Sequence, residues 1–198
     1  NSCFNCVSTC AYKNSLDHDK IEQAWLLKEE SLDKEKDDID FIKKDFMILD
    51  AKRYYINNSF DFIIESIGIY DNKNILIKAI QIIISKLKNI IDIHSNTTEF
   101  IKNSNTTMQN CYDIILEEED YTIGKILEYL FYNIYFETEK TITFCAFQKP
   151  HPHIDISIIR LAYKNNIEIQ DILSNLLICS NKAIEIYTNI LKQLTNEI

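Results

Sequence analysis

Glycine and proline are scarce in this sequence, with two of each among 198 residues. Glycine-rich phosphate loops need several glycines at fixed spacing, so a dinucleotide-binding fingerprint and a P-loop are both excluded. Basic residues are outnumbered by acidic ones, which gives a formal net charge of −9. Such an acidic chain does not predict a surface that binds nucleic-acid phosphates directly. Uninterrupted apolar runs of about 18 residues are also missing, so no membrane-spanning helix is predicted.

Cysteines are few and dispersed. Cys111, Cys145 and Cys179 lie far apart, which does not predict a disulfide framework and favours a reducing compartment. The first ten residues contain the other three, Cys3, Cys6 and Cys10. The first two of these have the spacing of a zinc knuckle, yet no second pair or histidine follows at finger distance. Whether the three bind zinc together with upstream ligands is left open by the sequence.

Apolar residues make up 46% of the sequence, which is enough for a buried core. Residues 17–50 are charged and helix-prone. A strand is predicted over residues 60–66, with Gly68 in the break that follows it. From residue 74 to 91, apolar side chains recur at the three- and four-residue spacing of an amphipathic helix.

A second unit is predicted after a polar linker at residues 94–110. A strand at 112–116 ends in an acidic corner at 117–120, and Thr122 is a candidate N-cap for the next helix. Two strands, at about 141–147 and 155–163, precede a long helix over about 168–197. The second of these strands is apolar on both faces, which predicts a covering layer on each side of the sheet.

The strongest candidate for a functional site in the sequence is the group formed by Cys145, His151 and His153. These side chains could form a metal site or a thiol–imidazole pair. A tetrahedral site needs a further ligand, and Asp155 is the only acidic candidate nearby. The proline-flanked histidine run is stiff and extended, while Cys145 lies inside a predicted apolar strand. The pattern therefore favours a structural turn, and we predict no catalytic residue, no metal at this turn and no cofactor.

The order of elements after residue 98 resembles the small assembly subunit of cellular multisubunit RNA polymerases, the L-type subunit of archaea and its eukaryotic equivalents. That family has an acidic corner before its helix and a Pro-His-Pro turn between its last two strands. The matching residues here are Glu117, Glu119, Asp120, Thr122 and Gly124 in the corner, and Pro150, His151 and Pro152 in the turn. Tyr121, Ile123 and Lys125 depart from the usual His, Leu and Asn.

The preceding segment, residues 60–90, resembles the carboxyl end of the larger partner in that family, the archaeal D-type polypeptide. Phe62, Glu65, Ser66 and Gly68 match its closing strand, and residues 7–17 resemble its segment returning from an inserted domain. The resemblance implies a fusion of two related subunits, of the kind found in large cytoplasmic DNA viruses. The amino-terminal half of the D-like unit has no counterpart in this sequence, and whether it is a separate chain is left open.

The resemblance implies an α+β fold built from two α-like dimerisation half-units. Each would pack a small antiparallel sheet against long helices, and the two would form an intramolecular pseudo-heterodimer. The predicted segments are 1–58, a remnant of the inserted domain with a charged helical or loop region; 59–95, the carboxyl-terminal part of the D-like unit; and 96–198, the L-like unit.

A subunit interface is expected where the apolar stripes of three helices meet. A side chain every three or four residues lies on one face of a helix, so each stripe presents a continuous apolar surface. The expected interface residues are Ile80, Ile83 and Leu87 in the first helix; Ile123, Ile126, Leu127, Leu130, Phe131 and Ile134 in the second; and Leu173, Leu177 and Ile184 in the third.

The function implied by the resemblance is non-catalytic. Such subunits nucleate the assembly of the two largest subunits of a DNA-directed RNA polymerase and contact other polymerase subunits. They meet DNA only through the complex and do not bind membranes. A viral chain would be located in the cytoplasm, in viral factories or virions, and a cellular one in the nucleus. The alternatives are an unrelated helical protein-interaction adaptor, which would lack strands at 141–163, and a Cys/His enzyme or metal-binding protein.

Overall fold

The structure, a computed structural model, describes residues 7–33, 38–94 and 97–196. These residues form five α-helices and two small antiparallel sheets, an α+β arrangement. Cys3 and Cys6 lie outside the described residues. The chain divides into two compact units, Asn1–Asn72 and Lys73–Ile198. The predicted segment borders after residues 58 and 95 separate regions by their resemblance to two subunits, not by compactness. They therefore stay predictions.

The first unit combines a two-stranded ribbon with two short helices. Its elements are β1 (Ser8–Leu16), α1 (His18–Glu30), α2 (Ile39–Ile48), a 3₁₀ turn (Asp50–Arg53) and β2 (Tyr55–Ser66). Asp17 and Asp38 cap the two α-helices, since their carboxylates accept the amides of Lys20 and Phe41. The small core beneath the helices is centred on Trp25 and Phe46.

One face of the ribbon is aromatic and open to solvent. Tyr12 and Phe62 are directly paired across the strands and are 71% and 72% exposed. Phe60 packs edge-on against Tyr12, with the ring centroids 6.2 Å apart. The opposite face is more polar, because Lys13 and Asp61 form an ion pair there, although it also carries Ile63. The ribbon is therefore amphipathic, with its apolar face uncovered within this unit.

The second unit packs long helices against a four-stranded sheet. Its elements are α3 (Asn72–His94), β3 (Ile101–Asn103), β4 (Cys111–Glu117), α4 (Tyr121–Phe131), β5 (Ile142–Gln148), β6 (Ile156–Tyr163) and α5 (Ile169–Asn196). The strands are ordered β3-β4-β6-β5, and all neighbours are antiparallel. The predicted linker thus contains a short strand at one edge of the sheet.

The period of two along β4 and β6 decides which side chains enter the core of the second unit. Ile114 pairs with Ile159 and Tyr112 with Leu161, and all four are buried. The alternate residues face the other side of the sheet, where Ile156 is exposed. The prediction that both faces of the last strand are fully covered is therefore wrong at this end of the strand, since the second unit supplies helices to the inner face.

The helix after the acidic corner changes its hydrogen-bonding pattern part-way along its length. Regular α-helix ends at Phe131, and Tyr132–Thr138 continues it with π-helical hydrogen bonding. The wider turn brings Tyr132 over Phe136 in a stacked pair with centroids 4.8 Å apart. No helix in the described part of the chain is both long enough and apolar enough to cross a membrane.

Candidate subunit interface

The acidic corner between β4 and α4 is a tight reversal of the backbone. Glu118 adopts a positive φ of 57°, a conformation that a non-glycine residue seldom takes. Its amide donates to the carbonyl of Asp155 over 2.7 Å, which ties the corner to the start of β6. The Glu118 side chain is exposed to solvent, whereas that of Glu119 is buried.

Asp120 is the N-cap of α4. Its carboxylate accepts the amide of Thr122 over 2.9 Å, and its carbonyl accepts the amide of Gly124. The prediction that Thr122 caps this helix is therefore wrong, because Thr122 lies inside the first turn. The two residues satisfy the same rule, since each is a favoured N-cap type, and only the backbone geometry of the corner selects the aspartate.

Glu119 is the buried carboxylate of the corner, with 7% of its surface exposed. It forms an ion pair of 2.8 Å with Lys86, which projects from α3. A buried carboxylate without a partner would be costly, so this pair fixes the position of α3 beside the corner. The acidic motif of the 96–198 segment is thereby joined to the last helix of the 59–95 segment.

Gly124 is required by close packing rather than by backbone conformation. A Cβ at this position would lie 2.0 Å from the ring of Phe147 on β5, far inside any allowed contact. The same ring packs edge-on against Tyr121, with centroids 5.3 Å apart. The glycine thus lets α4 approach the sheet closely at its first turn, where the acidic corner must also be accommodated.

The Pro-His-Pro residues form the exposed connection between β5 and β6. Pro150, His151 and Pro152 are all on the surface, and the amide of His153 donates to Nδ1 of His151 over 3.1 Å. The rings of these two histidines lie 5.3 Å apart. Among the described residues, no group of three or more His, Cys, Asp or Glu side chains is arranged to hold a metal ion.

Cys145 points away from the histidine turn, into the layer between the sheet and α4. Its thiol donates to the carbonyl of Glu128. Burial raises the pKa of Cys145 to about 12. An activated nucleophile needs the opposite shift, because only the thiolate attacks. The surroundings of this thiol therefore resemble those of a small core residue.

The helix residues predicted to form an interface are largely brought together in the second unit. All of them except Ile80, which is buried elsewhere on α3, belong to one apolar cluster. Ile83 and Leu87 of α3 join that cluster with residues of α4 and α5. The completely buried members are Leu87, Ile123, Leu127 and Phe131, and Leu130 and Leu173 are almost completely buried. The partly buried members are Ile83, Ile126, Ile134, Leu177 and Ile184.

A long apolar groove runs along the outer side of α4 and α5. It consists of two cavities of about 350 and 540 Å³, and Leu130 and Ile186 line both of them. We call this surface the α4–α5 groove. Its other apolar lining residues are Ile126, Tyr129, Ile134, Ile178, Ala183, Tyr187 and Ile190.

The α4–α5 groove is open, and the charged side chains that line it are paired within the described part of the chain. Tyr129 is 65% exposed and Ile178 is 52% exposed. The charged side chains of the rim are paired with each other, Lys125 with Glu128 and Lys182 with Glu185. A surface of this kind is suited to packing against another apolar surface rather than to binding a charged ligand.

Two groove residues, Ile178 and Ile186, were missed by reasoning from the sequence. Ile178, Ile186 and Ile190 lie on α5 at four- and eight-residue separations, which is a second apolar stripe beside the one that enters the core. That spacing was visible in the sequence. The second stripe was hard to distinguish from the longer stripe that enters the core, because two adjacent stripes on one helix form a single broad apolar face.

Both compact units therefore present an uncovered apolar surface, the aromatic face of the ribbon in the first and the α4–α5 groove in the second. Neither models of known protein families nor curated protein sequences give a match to this chain. The chemistry and geometry of its own residues are consequently the basis on which a function can be proposed.

Proposed function

We propose that this chain is a non-catalytic assembly subunit of a multisubunit DNA-directed RNA polymerase. In that role it nucleates the two largest, catalytic subunits and contacts DNA only through the assembled complex. The proposal follows from the resemblance to the L-type and D-type polypeptides of archaea. It is supported by surfaces and contacts in both units that suit a scaffold.

The α4–α5 groove is the observation that carries the proposal. Exposed apolar surface of this extent on a folded unit is typical of a protein–protein interface. A groove between two helices suits the apolar face of a partner helix, which would anchor through side chains spaced three or four residues apart. Residues of α4 line the groove, and α4 is also the helix that follows the acidic corner. The element that carries part of the resemblance therefore also carries part of the exposed apolar surface.

The aromatic face of the ribbon is a second supporting feature. A two-stranded ribbon is marginally stable in water unless its apolar face is covered by further strands or a helix. In the proposed architecture, the amino-terminal half of a D-like unit supplies that cover. The polar face with Lys13 and Asp61 then stays in solvent.

The contact between α3 and the acidic corner supports the pseudo-heterodimer part of the proposal. Lys86 comes from the segment assigned to the D-like unit, and Glu119 comes from the L-like unit. Linking both in one chain raises their effective concentration to roughly millimolar, which favours pairing within the chain over exchange between chains.

The alternatives receive less support from the residues. An all-helical adaptor would have no strands in the last third of the chain, but β5 and β6 lie there. A thiol enzyme built on Cys145 would need a reactive thiolate, whereas burial raises the pKa of that thiol to about 12. We therefore retain the scaffold as the function that the geometry supports best.

Affinity purification of the tagged full chain from its native source tests this proposal. The expected result is co-purification of the two largest polymerase subunits in a fixed ratio. Ile186→Asp places a charge in the α4–α5 groove, and desolvating that charge in an interface should lower recovery at least about ten-fold.

Ile82→Asp is the matched control, because Ile82 is an exposed apolar residue of α3 outside the groove. Circular dichroism should show both variants folded, since both side chains are exposed. Recovery of the chain alone from cells with active polymerase would overturn the proposed function. Equal recovery with the two variants would show that the α4–α5 groove is not the interface.

A further inference from the structure

A separate cavity of about 350 Å³ lies at the carboxyl end of α3, beside β3 and the end of β4. It lies entirely within the second unit and shares no residue with the α4–α5 groove. Its walls combine the apolar side chains of Ile93, Phe100 and Ile115 with a charged rim. We call it the α3–β3 cavity.

His94 contributes its ring to the wall of this cavity. Its ring packs against Phe100, with the centroids 3.8 Å apart and the ring planes inclined by 33°, which restricts the orientation of the imidazole. Its Nδ1 is shielded from solvent and has no hydrogen-bond partner among the described residues. Burial lowers the pKa of His94, so the neutral ring, which can accept a hydrogen bond, is favoured near neutral pH.

The rim of the α3–β3 cavity has an excess of negative charge. Glu99, Glu117 and Glu119 line it, and Lys102 is the only lysine or arginine among its lining residues. Glu119 is neutralised by Lys86 from outside the cavity. Glu99 and Glu117 have no ion-pair partner in the part of the chain that the structure describes. Two carboxylates and one ammonium leave the cavity with a net negative charge.

We propose that the α3–β3 cavity binds a lysine or arginine side chain of a partner polypeptide. The aliphatic stem of such a side chain lies against Phe100 and Ile115, and its charged head donates to the Glu117 carboxylate, beside the ring of His94. Long basic side chains are suited to this combination, because their stems contact apolar surface while their heads remain at a polar rim.

A polypeptide is favoured over a free amine because the cavity borders the open edge of the sheet. β3 is an edge strand, and Phe100 and Ser104 hydrogen-bond to β4. Since alternate residues of an antiparallel strand face its partner, Asn103 directs its peptide groups towards the open edge. An extended segment of a partner can pair there and place a side chain in the cavity. The inference rests on the proposed function only for naming that partner as a polymerase subunit.

The test is a titration of the full chain followed by NMR of the His94 ring. The probes are the Nα-acetyl amides of lysine and arginine, with the Nα-acetyl amide of norleucine as an uncharged analogue of similar length. The lysine and arginine probes should shift the His94 resonances in a saturable way, and norleucine should bind at least about five-fold more weakly.

Glu117→Gln should weaken the lysine and arginine probes by a similar factor. Glu118→Gln is its matched control, since Glu118 is the exposed neighbour and does not line the cavity. Equal binding of norleucine and lysine, the same affinity in both variants, or no saturable shift would overturn the inference. None of these results depends on polymerase assembly, so failure here is distinguishable from failure of the proposed function.

Discussion

At the scale of single residues, the acidic corner gives three of its four carboxylates different roles. Glu118 takes the strained turn and faces solvent, Glu119 is buried and paired with Lys86, and Asp120 caps α4. Side chains of one chemical type therefore differ in their expected contributions to stability, because burial and hydrogen bonding differ from one position to the next.

Substitution of the cap tests this assignment. Asp120→Ala removes the acceptor for the Thr122 amide and should lower the free energy of unfolding by about 1 kcal/mol. Thr122→Ala, the matched control, should change it by less than about 0.5 kcal/mol. Urea unfolding followed by far-UV circular dichroism measures both. A larger loss for the threonine variant would restore Thr122 as the cap.

The buried thiols predict a pH dependence of stability. Burial raises the pKa of Cys145 and of Cys179 to about 12 each, from an ordinary value of 9.0. The folded state favours the protonated thiols, so their contribution is complete below pH 9.0 and is lost as the pH rises from there towards about 12. The free energy of unfolding should therefore fall above pH 9.0.

A double variant, Cys145→Ala with Cys179→Ala, should show a shallower fall in the same pH range. Urea unfolding at a series of pH values compares the two proteins. Tyr163 also contributes to the slope in both, because burial raises its pKa to about 12. Identical slopes would mean that neither thiol titrates differently in the folded and unfolded states.

At the scale of elements, α3 illustrates how one polar contact can orient an otherwise apolar helix. Its buried residues Leu87 and Ile90 join the core of the second unit, but apolar packing alone tolerates sliding and rotation. The ion pair between Lys86 and Glu119 is directional, so it selects one position of the helix against the acidic corner. The α3–β3 cavity exists only in that position, because α3 forms one of its walls.

Removing the lysine should therefore destabilise the second unit. Lys86→Met leaves the buried carboxylate of Glu119 without its partner and should cost roughly 1–3 kcal/mol. Lys88→Met is the matched control on the same helix, because Lys88 is exposed, and it should change stability by less than about 0.5 kcal/mol. Chemical denaturation distinguishes them, and equal effects would show that the ion pair does not anchor α3.

At the scale of the whole molecule, the two units differ greatly in the size of their cores. The first unit buries Ile21, Trp25, Phe46 and Ala51, whereas the second has an extensive core formed by its sheet and three helices. Stability grows with the apolar area removed from water. The first unit also leaves its ribbon face uncovered, so it should be the less stable of the two.

The only tryptophan provides a direct test. Trp25 lies in the core of the first unit, packed against Phe46 with ring centroids 5.5 Å apart, so its fluorescence reports on that unit alone. In a urea titration, the fluorescence transition should precede the main loss of far-UV circular dichroism. Coincident transitions would contradict the prediction and indicate one cooperative molecule.

Much of the secondary structure could be predicted from local pattern. The apolar spacing along α3 and α5, the alternation along β4 and the proline-broken turn before β6 each depend on neighbours within a few residues, and the structure confirms these elements. The residues at which helices and strands begin and end were predicted less accurately. The predicted N-cap of α4 was Thr122 and the observed one is Asp120. Both residue types suit this position, and the backbone geometry of the corner determines which of them caps the helix.

The amino-acid pattern alone indicates that the chain contains both strands and helices, since periods of two and of 3.6 alternate along it. It also indicates which helices carry apolar stripes. Packing in three dimensions selects the stripe residues that enter the core and those that stay in the α4–α5 groove, and it brings Lys86 to Glu119. The physical reason is range: periodicity is set by adjacent turns and strands, whereas burial, close approach and ion pairing depend on residues brought together from distant parts of the chain.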